Sequence, residues 1–181
     1  GREVQFGPSF SDASVLSERK IYSPQEGGFV RYLDTFTNIL PYEREIEVRY
    51  YQRFSYTSDF AFVDDAVKGG FTVVPLNSGQ PHTSVAYAGI VTHGAGAVSS
   101  AVINSSYPIP GNSNNRTDYA YRVRVPAYGS VSLLHFAAQR GPADLATLQT
   151  QVRSLQDLTD SKALFGLSAA EKARIKNFIV P

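Results

Sequence analysis

The chain carries three histidines and no cysteine, so nucleophilic or metal chemistry would have to be assembled from His, Ser, Asp and Glu. A serine hydrolase sets its nucleophile on a strained turn beside a histidine and an orienting acid, and no G-x-S-x-G occurs. His93-Gly94-Ala95-Gly96 has the look of an esterase oxyanion loop, but without that elbow it reads as a Gly-rich turn at a strand end. Its G-x-G fragment does not open a helix, which removes the dinucleotide reading. His82, His93 and His135 have neither H-x-H nor H-x-x-x-H spacing, and the first two fall at opposite ends of one predicted strand, so a shared zinc is not expected. The reading is non-catalytic.

Other groups offer recognition chemistry. Asp59, Asp64 and Asp65 lie in a turn-rich stretch and form the best cation candidate, of the carboxylate-and-carbonyl kind that suits Ca²⁺. Glu43, Glu45 and Glu47 alternate with apolar residues beside Arg44, Arg49 and Arg53. Cross-strand ion pairs on a wet sheet face explain them better than a glycosidase carboxylate pair. In Arg49-Tyr50-Tyr51-Gln52-Arg53-Phe54-Ser55-Tyr56 alternation sends Tyr51 and Arg53 to one face. Aromatic rings and guanidinium forks of this kind suit a sugar or a protein contact. Tyr51, Arg53, Tyr56 and the turn residue Tyr128 are the ligand or contact candidates. Asn104-Ser105-Ser106 and Asn115-Arg116-Thr117 fit the N-glycosylation acceptor pattern.

Composition narrows the classes. The 181 residues suffice for one domain with a substantial core. Net charge is +1 with scattered Lys and Arg, which gives no electrostatic footprint for nucleic acid. No apolar run reaches the length of a membrane-spanning helix. Absence of Cys excludes disulfides and thiolate sites. The chain begins with Gly1 and lacks Met altogether, which points to a processed or excised piece of something longer.

The elements that must carry these residues change character at Gly141-Pro142. Residues 1–140 are strand-like, with β-branched and aromatic runs punctuated by Gly, Pro, Asn and Ser. Ile46, Val48 and Tyr50 against Glu45, Glu47 and Arg49 form the cleanest period-two alternation, a half-buried antiparallel strand. Phe29–Asn38 mixes apolar and polar groups on both parities, so its buried face is not obvious. Tyr119–Val125 and Ser130–Ala138 read as a hairpin across Pro126-Ala127-Tyr128-Gly129. Nine or ten strands at short spacing predict an antiparallel β-sandwich. Residues 141–181 read as a short two-helix tail, with Pro142 in a first turn. An apolar stripe runs Leu145, Leu148, Val152, Leu155, Leu158. A capping box at Ser168-Ala169-Ala170-Glu171 starts the second helix, whose Ala173, Ile175, Phe178 and Ile179 are expected to fold onto the body.

Three segments carry a resemblance. Arg19-Lys20-Ile21-Tyr22-Ser23-Pro24 leading to Phe29–Asn38, Val123-Arg124-Val125-Pro126 leading to Leu133–Gln139, and Ala163–Glu171 leading to Asn177-Phe178 together resemble an uncharacterised β-rich module of large secreted or surface-exposed bacterial proteins. The resemblance spans nearly the whole chain and implies architecture and an extracellular or cell-surface location, without an activity. It departs from that pattern at Tyr56-Thr57-Ser58-Asp59-Phe60, where a Gly-Ser-Asp loop is expected. The expectation is a mainly β, antiparallel sandwich that serves as a structural or adhesive module, self-associating or contacting neighbouring modules of a longer chain. The alternative is a carbohydrate-binding accessory module of a secreted hydrolase, with a glycan as partner.

Overall fold

The computed structural model describes residues 1–10, 14–54, 58–62, 68–77, 80–81, 83–105, 115–142 and 144–181. Eleven strands and two helices occur among them: β1 (Arg2–Phe10), β2 (Val15–Ser23), β3 (Phe29–Asn38), β4 (Arg44–Phe54), β5 (Ser58–Phe62), β6 (Gly69–Asn77), β7 (Gln80–Pro81), β8 (Tyr87–His93), β9 (Ala101–Ser105), β10 (Asn115–Val125), β11 (Ser130–Arg140), α1 (Leu145–Gln156) and α2 (Ala169–Arg174). The large sheet runs β1-β2-β3-β11-β8-β6-β5, with β7 on β6; the small sheet runs β4-β10-β9. Every named pair is antiparallel. The fold is a mainly β antiparallel sandwich with two helices near its C-terminus.

The ambiguous parity of β3 has a direct cause: both faces of the central strands are covered. Phe29 and Leu33 face the C-terminal segment, with Leu134, Phe136 and Ala138 of β11 and with Leu148, Val152 and Leu155 of α1. Phe36, together with Val131 and Leu133 of β11, faces Tyr119, Tyr121, Val123 and Val125 of the small sheet. A strand buried on both sides loses the wet face that makes alternation legible. On β4 the alternation holds, because Ile46, Val48 and Tyr50 pack on the inter-sheet core while Glu45, Glu47 and Tyr51 are exposed.

The expected β10–β11 hairpin is corrected. β10 pairs with β4 and β9, while β11 pairs with β3 and β8, so Pro126–Gly129 carries the chain from one sheet to the other. The apolar residues of the two strands then meet face to face across the core. Side by side, as in a hairpin, neither row would bury the other. Pro142 is also corrected: α1 begins at Leu145 behind Asp144, and Pro142 lies in the preceding turn.

The C-terminal segment lies on the outer face of the large sheet. The α1 stripe is buried at Leu148, Val152 and Leu155. The Ser168 capping box is present, with Glu171 N donating to Ser168 Oγ and Ser168 N to Glu171 Oε2. Ile175 and Phe178 are buried as expected, but Ala173 and Ile179 are exposed, because α2 ends at Arg174 and the chain leaves in extended form. Lys176 N donates to Ser132 O, Gly94 N to Asn177 O and Val98 N to Lys176 O, which ties this extended piece to β11 and the β8 turn. A Cβ on Gly96 would sit 2.2 Å from the Asn177 backbone, so His93–Gly96 is a packing turn that admits the C-terminal segment.

Candidate functional site

Strand register and sheet packing bring together residues from four strands, β2, β3, β11 and β4. Arg19 on β2 pairs with Asp34 on β3, and His135 on β11 pairs with Tyr32 on β3. Tyr50 reaches them from β4 in the facing sheet. Arg19 Nε donates to Asp34 Oδ1 at 2.6 Å and an Nη to Oδ2 at 2.9 Å, while Tyr50 Oη donates to Oδ2 at 2.5 Å. His135 stacks on Tyr32 with centroids 4.8 Å apart and meets Tyr50 edge-on at 4.7 Å. Tyr50 stacks on Tyr119 at 5.3 Å, and the Arg19 guanidinium lies 5.5 Å from the Tyr32 ring centre.

The electrostatics follow from burial and from one carboxylate. The bonds to Asp34 raise the Arg19 pKa against a desolvation cost. Burial pushes the Tyr50 phenol well up, and the Asp34 charge adds to this. Tyr119 is raised for the same two reasons. Burial lowers His135 to about 4, with Asp34 opposing and Arg19 assisting. His135 is therefore a neutral ring at neutral pH. Its Nδ1 lies 3.8 Å from Asp34 Oδ2, beyond hydrogen-bond reach.

Above this base a cleft of about 420 Å³ opens between the β1–β2 edge of the large sheet and β4 of the small one. Arg19, Asp34 and Tyr50 line its floor, and Phe6, Glu18, Arg49 and Tyr51 line its sides. Phe6 is 55% and Tyr51 69% exposed, unusual for large rings. Chemically this is an aromatic-walled slot over a polar floor, the pattern that stacks an apolar ring face and hydrogen-bonds its hydroxyls. A second hollow of about 770 Å³ is lined by Val30, Ala88, Ile90 and Ala137, with Gln139 and Arg140 at its margin. It gathers no carboxylate or histidine among the described residues.

Of the sequence candidates, Tyr51 is on the cleft and Tyr128 is not. Tyr128 stands 70% exposed on the Pro126–Gly129 turn. Tyr56, Asp64, Asp65 and His82 lie outside the described residues, as do the side chains of Arg53 on β4, Asp59 on β5, Asn104 on β9 and Asn115 on β10. Among the described residues no three His, Asp or Glu converge on a metal-sized site. The Glu row behaves as a wet sheet face, with Arg124 bonding Glu45 and Arg122 near Glu47 across β4–β10. Sequence reasoning missed Phe6, Arg19, Asp34 and the convergence of Asp34 with His135. The available signal was an arginine, an aspartate and a histidine on strands otherwise destined for the core, each needing a partner.

No family model matches the chain, and no curated protein matches it. Solved structures do. A structure assigned as a kojibiose phosphorylase from the human microbiome aligns with TM-score 0.51 at 11% identity, over 89% of this chain and 20% of its own. One assigned as an aldose 1-epimerase from Klebsiella pneumoniae subsp. pneumoniae aligns with TM-score 0.43 at 11% identity, over 85% of this chain and 54% of its own. A mutant of the heparan sulfate lyase HepC from Pedobacter heparinus gives TM-score 0.35 at 8% identity, over 77% and 22%. The chain thus spans about a fifth of the phosphorylase's length, and at these identities the likeness is one of fold.

Proposed function

We propose that this chain is a non-catalytic carbohydrate-binding module of a larger secreted or cell-surface protein, with its ligand in the cleft between β1–β2 and β4. The observation that carries the reading is one cleft lined by two exposed rings, Phe6 and Tyr51, together with the hydrogen-bonded cluster of Arg19, Asp34 and Tyr50. The floor is rigid, because Asp34 already accepts three hydrogen bonds, and a preorganised polar floor spares the ordering cost of binding. The sandwich likeness to a structure assigned as a carbohydrate enzyme accords with this, as analogy of fold only. A secreted location rests on the resemblance to modules of large surface proteins.

A hydrolytic reading draws on the nearness of His135 to Asp34. Three features weigh against it: Asp34 is already held by three hydrogen bonds from Arg19 and Tyr50, His135 is buried away from the cleft, and no nucleophile stands beside either group in the described network. The test is a calorimetric and NMR titration of the purified chain with neutral oligosaccharides. Saturable binding that perturbs Phe6 and Tyr51, with no change in the sugar, supports the module. Absence of binding to every sugar at about millimolar concentration, or turnover of one, overturns it.

A further inference from the structure

At the end of the sandwich where β3 and β10 finish, the turns Ile39-Leu40-Pro41-Tyr42 and Pro126-Ala127-Tyr128-Gly129 lie side by side and contain no charged residue. Turns are ordinarily rich in Asn, Asp, Ser and Gly. Ile39, Tyr42 and Tyr128 are exposed by 41%, 55% and 70%, and Pro41, Pro126 and Ala127 are exposed beside them. The patch is rigid. Asn38, buried to 1%, donates through Nδ2 to the carbonyls of Tyr42, Val125 and Pro126 and accepts at Oδ1 from Leu40 N. Tyr128 N donates to Leu40 O at 3.0 Å and Gly129 N to Pro126 O.

Tyr128 holds φ +52° in the turn position that favours Gly or Asn. A tyrosine there carries backbone strain and, exposed as it is, recovers little by burial. Asparagine would hold the turn without that strain. Beside the patch, β4 and β10 present alternating charges on their outer face. Arg124 lies 3.4 Å from Glu45 and 3.9 Å from Glu43, and Arg122 3.6 Å from Glu47. These are single-point, exposed pairs, which contribute little within one molecule and are free to exchange partners.

We propose that this end is a self-association surface whose occupant is a second copy of the chain, paired by a two-fold axis through the Tyr42–Tyr128 patch. An isologous interface needs a surface complementary to itself. A neutral aromatic patch flanked by Glu43, Glu45 and Glu47 of the β4 segment and by Arg122 and Arg124 on β10 meets that condition, since the two-fold axis would set the glutamates of one copy against the arginines of the other. The anatomy is that of a protein interface, with a tyrosine-rich apolar centre and a charged margin.

Light scattering on the purified chain from about 10 µM to about 1 mM is expected to show the mass rising from the 19.8 kDa of one chain toward twice that value. Tyr128→Asn and, separately, Tyr42→Ser are each expected to weaken the dimer about tenfold or more with the melting temperature unchanged or raised. Should one variant fail to fold, the other still decides. Glu45→Arg is expected to weaken the pairing and Glu45→Arg with Arg124→Glu to restore it. A mass fixed at one chain throughout overturns the proposal and leaves the patch to a different partner. A dimer indifferent to both tyrosine changes overturns it as well.

Discussion

Arg19 and Asp34 stand directly opposite each other on β2 and β3, and the guanidinium grips both carboxylate oxygens, at 2.6 and 2.9 Å. Asp34 is buried to 5% exposure, whereas the Arg19 side chain is 40% exposed. The two partners therefore differ in what their removal leaves behind. Without Asp34, a half-exposed guanidinium turns to water and the Tyr50 hydroxyl loses its acceptor. Without Arg19, a buried carboxylate keeps only Tyr50. Arg19→Met is thus expected to cost more, about 3 kcal/mol, and Asp34→Ala about 2 kcal/mol, after allowing for solvent screening of the exposed partner. Urea denaturation of both variants and of the double variant measures the coupling. Equal and additive losses would mean that the pair is not a unit.

Tyr51 is 69% exposed on β4 and lines the cleft. Tyr51→Ala is expected to leave stability within about 0.5 kcal/mol and to weaken oligosaccharide binding by about 1–2 kcal/mol, roughly five- to thirtyfold. Phe6→Ala on the opposite wall is expected to act the same way. Isothermal titration calorimetry reads this directly. Unaltered affinity in both variants, where the wild-type chain binds, would move the ligand out of this cleft.

His135 makes stability depend on pH in a definite direction. Its folded pKa lies at about 4, below the ordinary 6.5 or so. The unfolded chain therefore binds more protons between those values, and the contribution of His135 is complete above pH 6.5 and is lost as pH falls toward 4. The size is about 3 kcal/mol from a shift of roughly two and a half units. Glu171, held down to about 2 by Lys20 and the Ser168 cap despite the cost of its burial, adds a second loss below the ordinary glutamate range. His135→Phe preserves the stacking on Tyr32 and is expected to flatten the stability profile from pH 7 to 4.5 while leaving the steeper fall below it. Chemical denaturation at four pH values decides this; an unchanged slope in His135→Phe would assign the dependence elsewhere.

Legibility in the sequence followed how each element meets solvent. β4 was readable because Glu45, Glu47 and Arg49 face water opposite Ile46, Val48 and Tyr50. The Ser168 cap was readable because it is local. β3 was not, since two cores claim its two parities, and neither was the passage of Pro126–Gly129 between sheets, since a turn's residues do not state which strands it joins. The cleft was half legible: Tyr51 stood out within an aromatic, arginine-rich run, whereas Phe6, Arg19 and Asp34 belong together only through the β1-β2-β3 register and the facing sheet. Arg31 shows the same limit. An arginine on a strand of mixed polarity gives no hint that it is fully buried, bonding Glu3 and the carbonyls of Ala163 and Phe165, with its guanidinium 4.7 Å from the Tyr22 ring centre.

Asn177 fastens the C-terminal segment to the large sheet and offers the sharpest test of that docking. It is wholly buried; its Nδ2 donates to Thr92 O at 3.0 Å and Leu134 O at 2.6 Å, and its Oδ1 accepts from Leu134 N at 2.9 Å. One side chain thus satisfies backbone groups of both β8 and β11. Asn177→Asp keeps the shape but replaces both donated hydrogens with an oxygen facing two carbonyls. A buried carboxylate in that setting has its pKa raised, so the cost is expected to be largest at neutral pH, about 3 kcal/mol or more. It is expected to shrink as pH falls and the acid regains a proton to donate. The same variant is expected to speed amide exchange at Gly94 and Val98, whose N–H groups bond to Asn177 O and Lys176 O. An Asn177→Asp chain as stable as the wild type at pH 7, with those amides still protected, would show that the apolar contacts of Ile175 and Phe178 hold the segment without it.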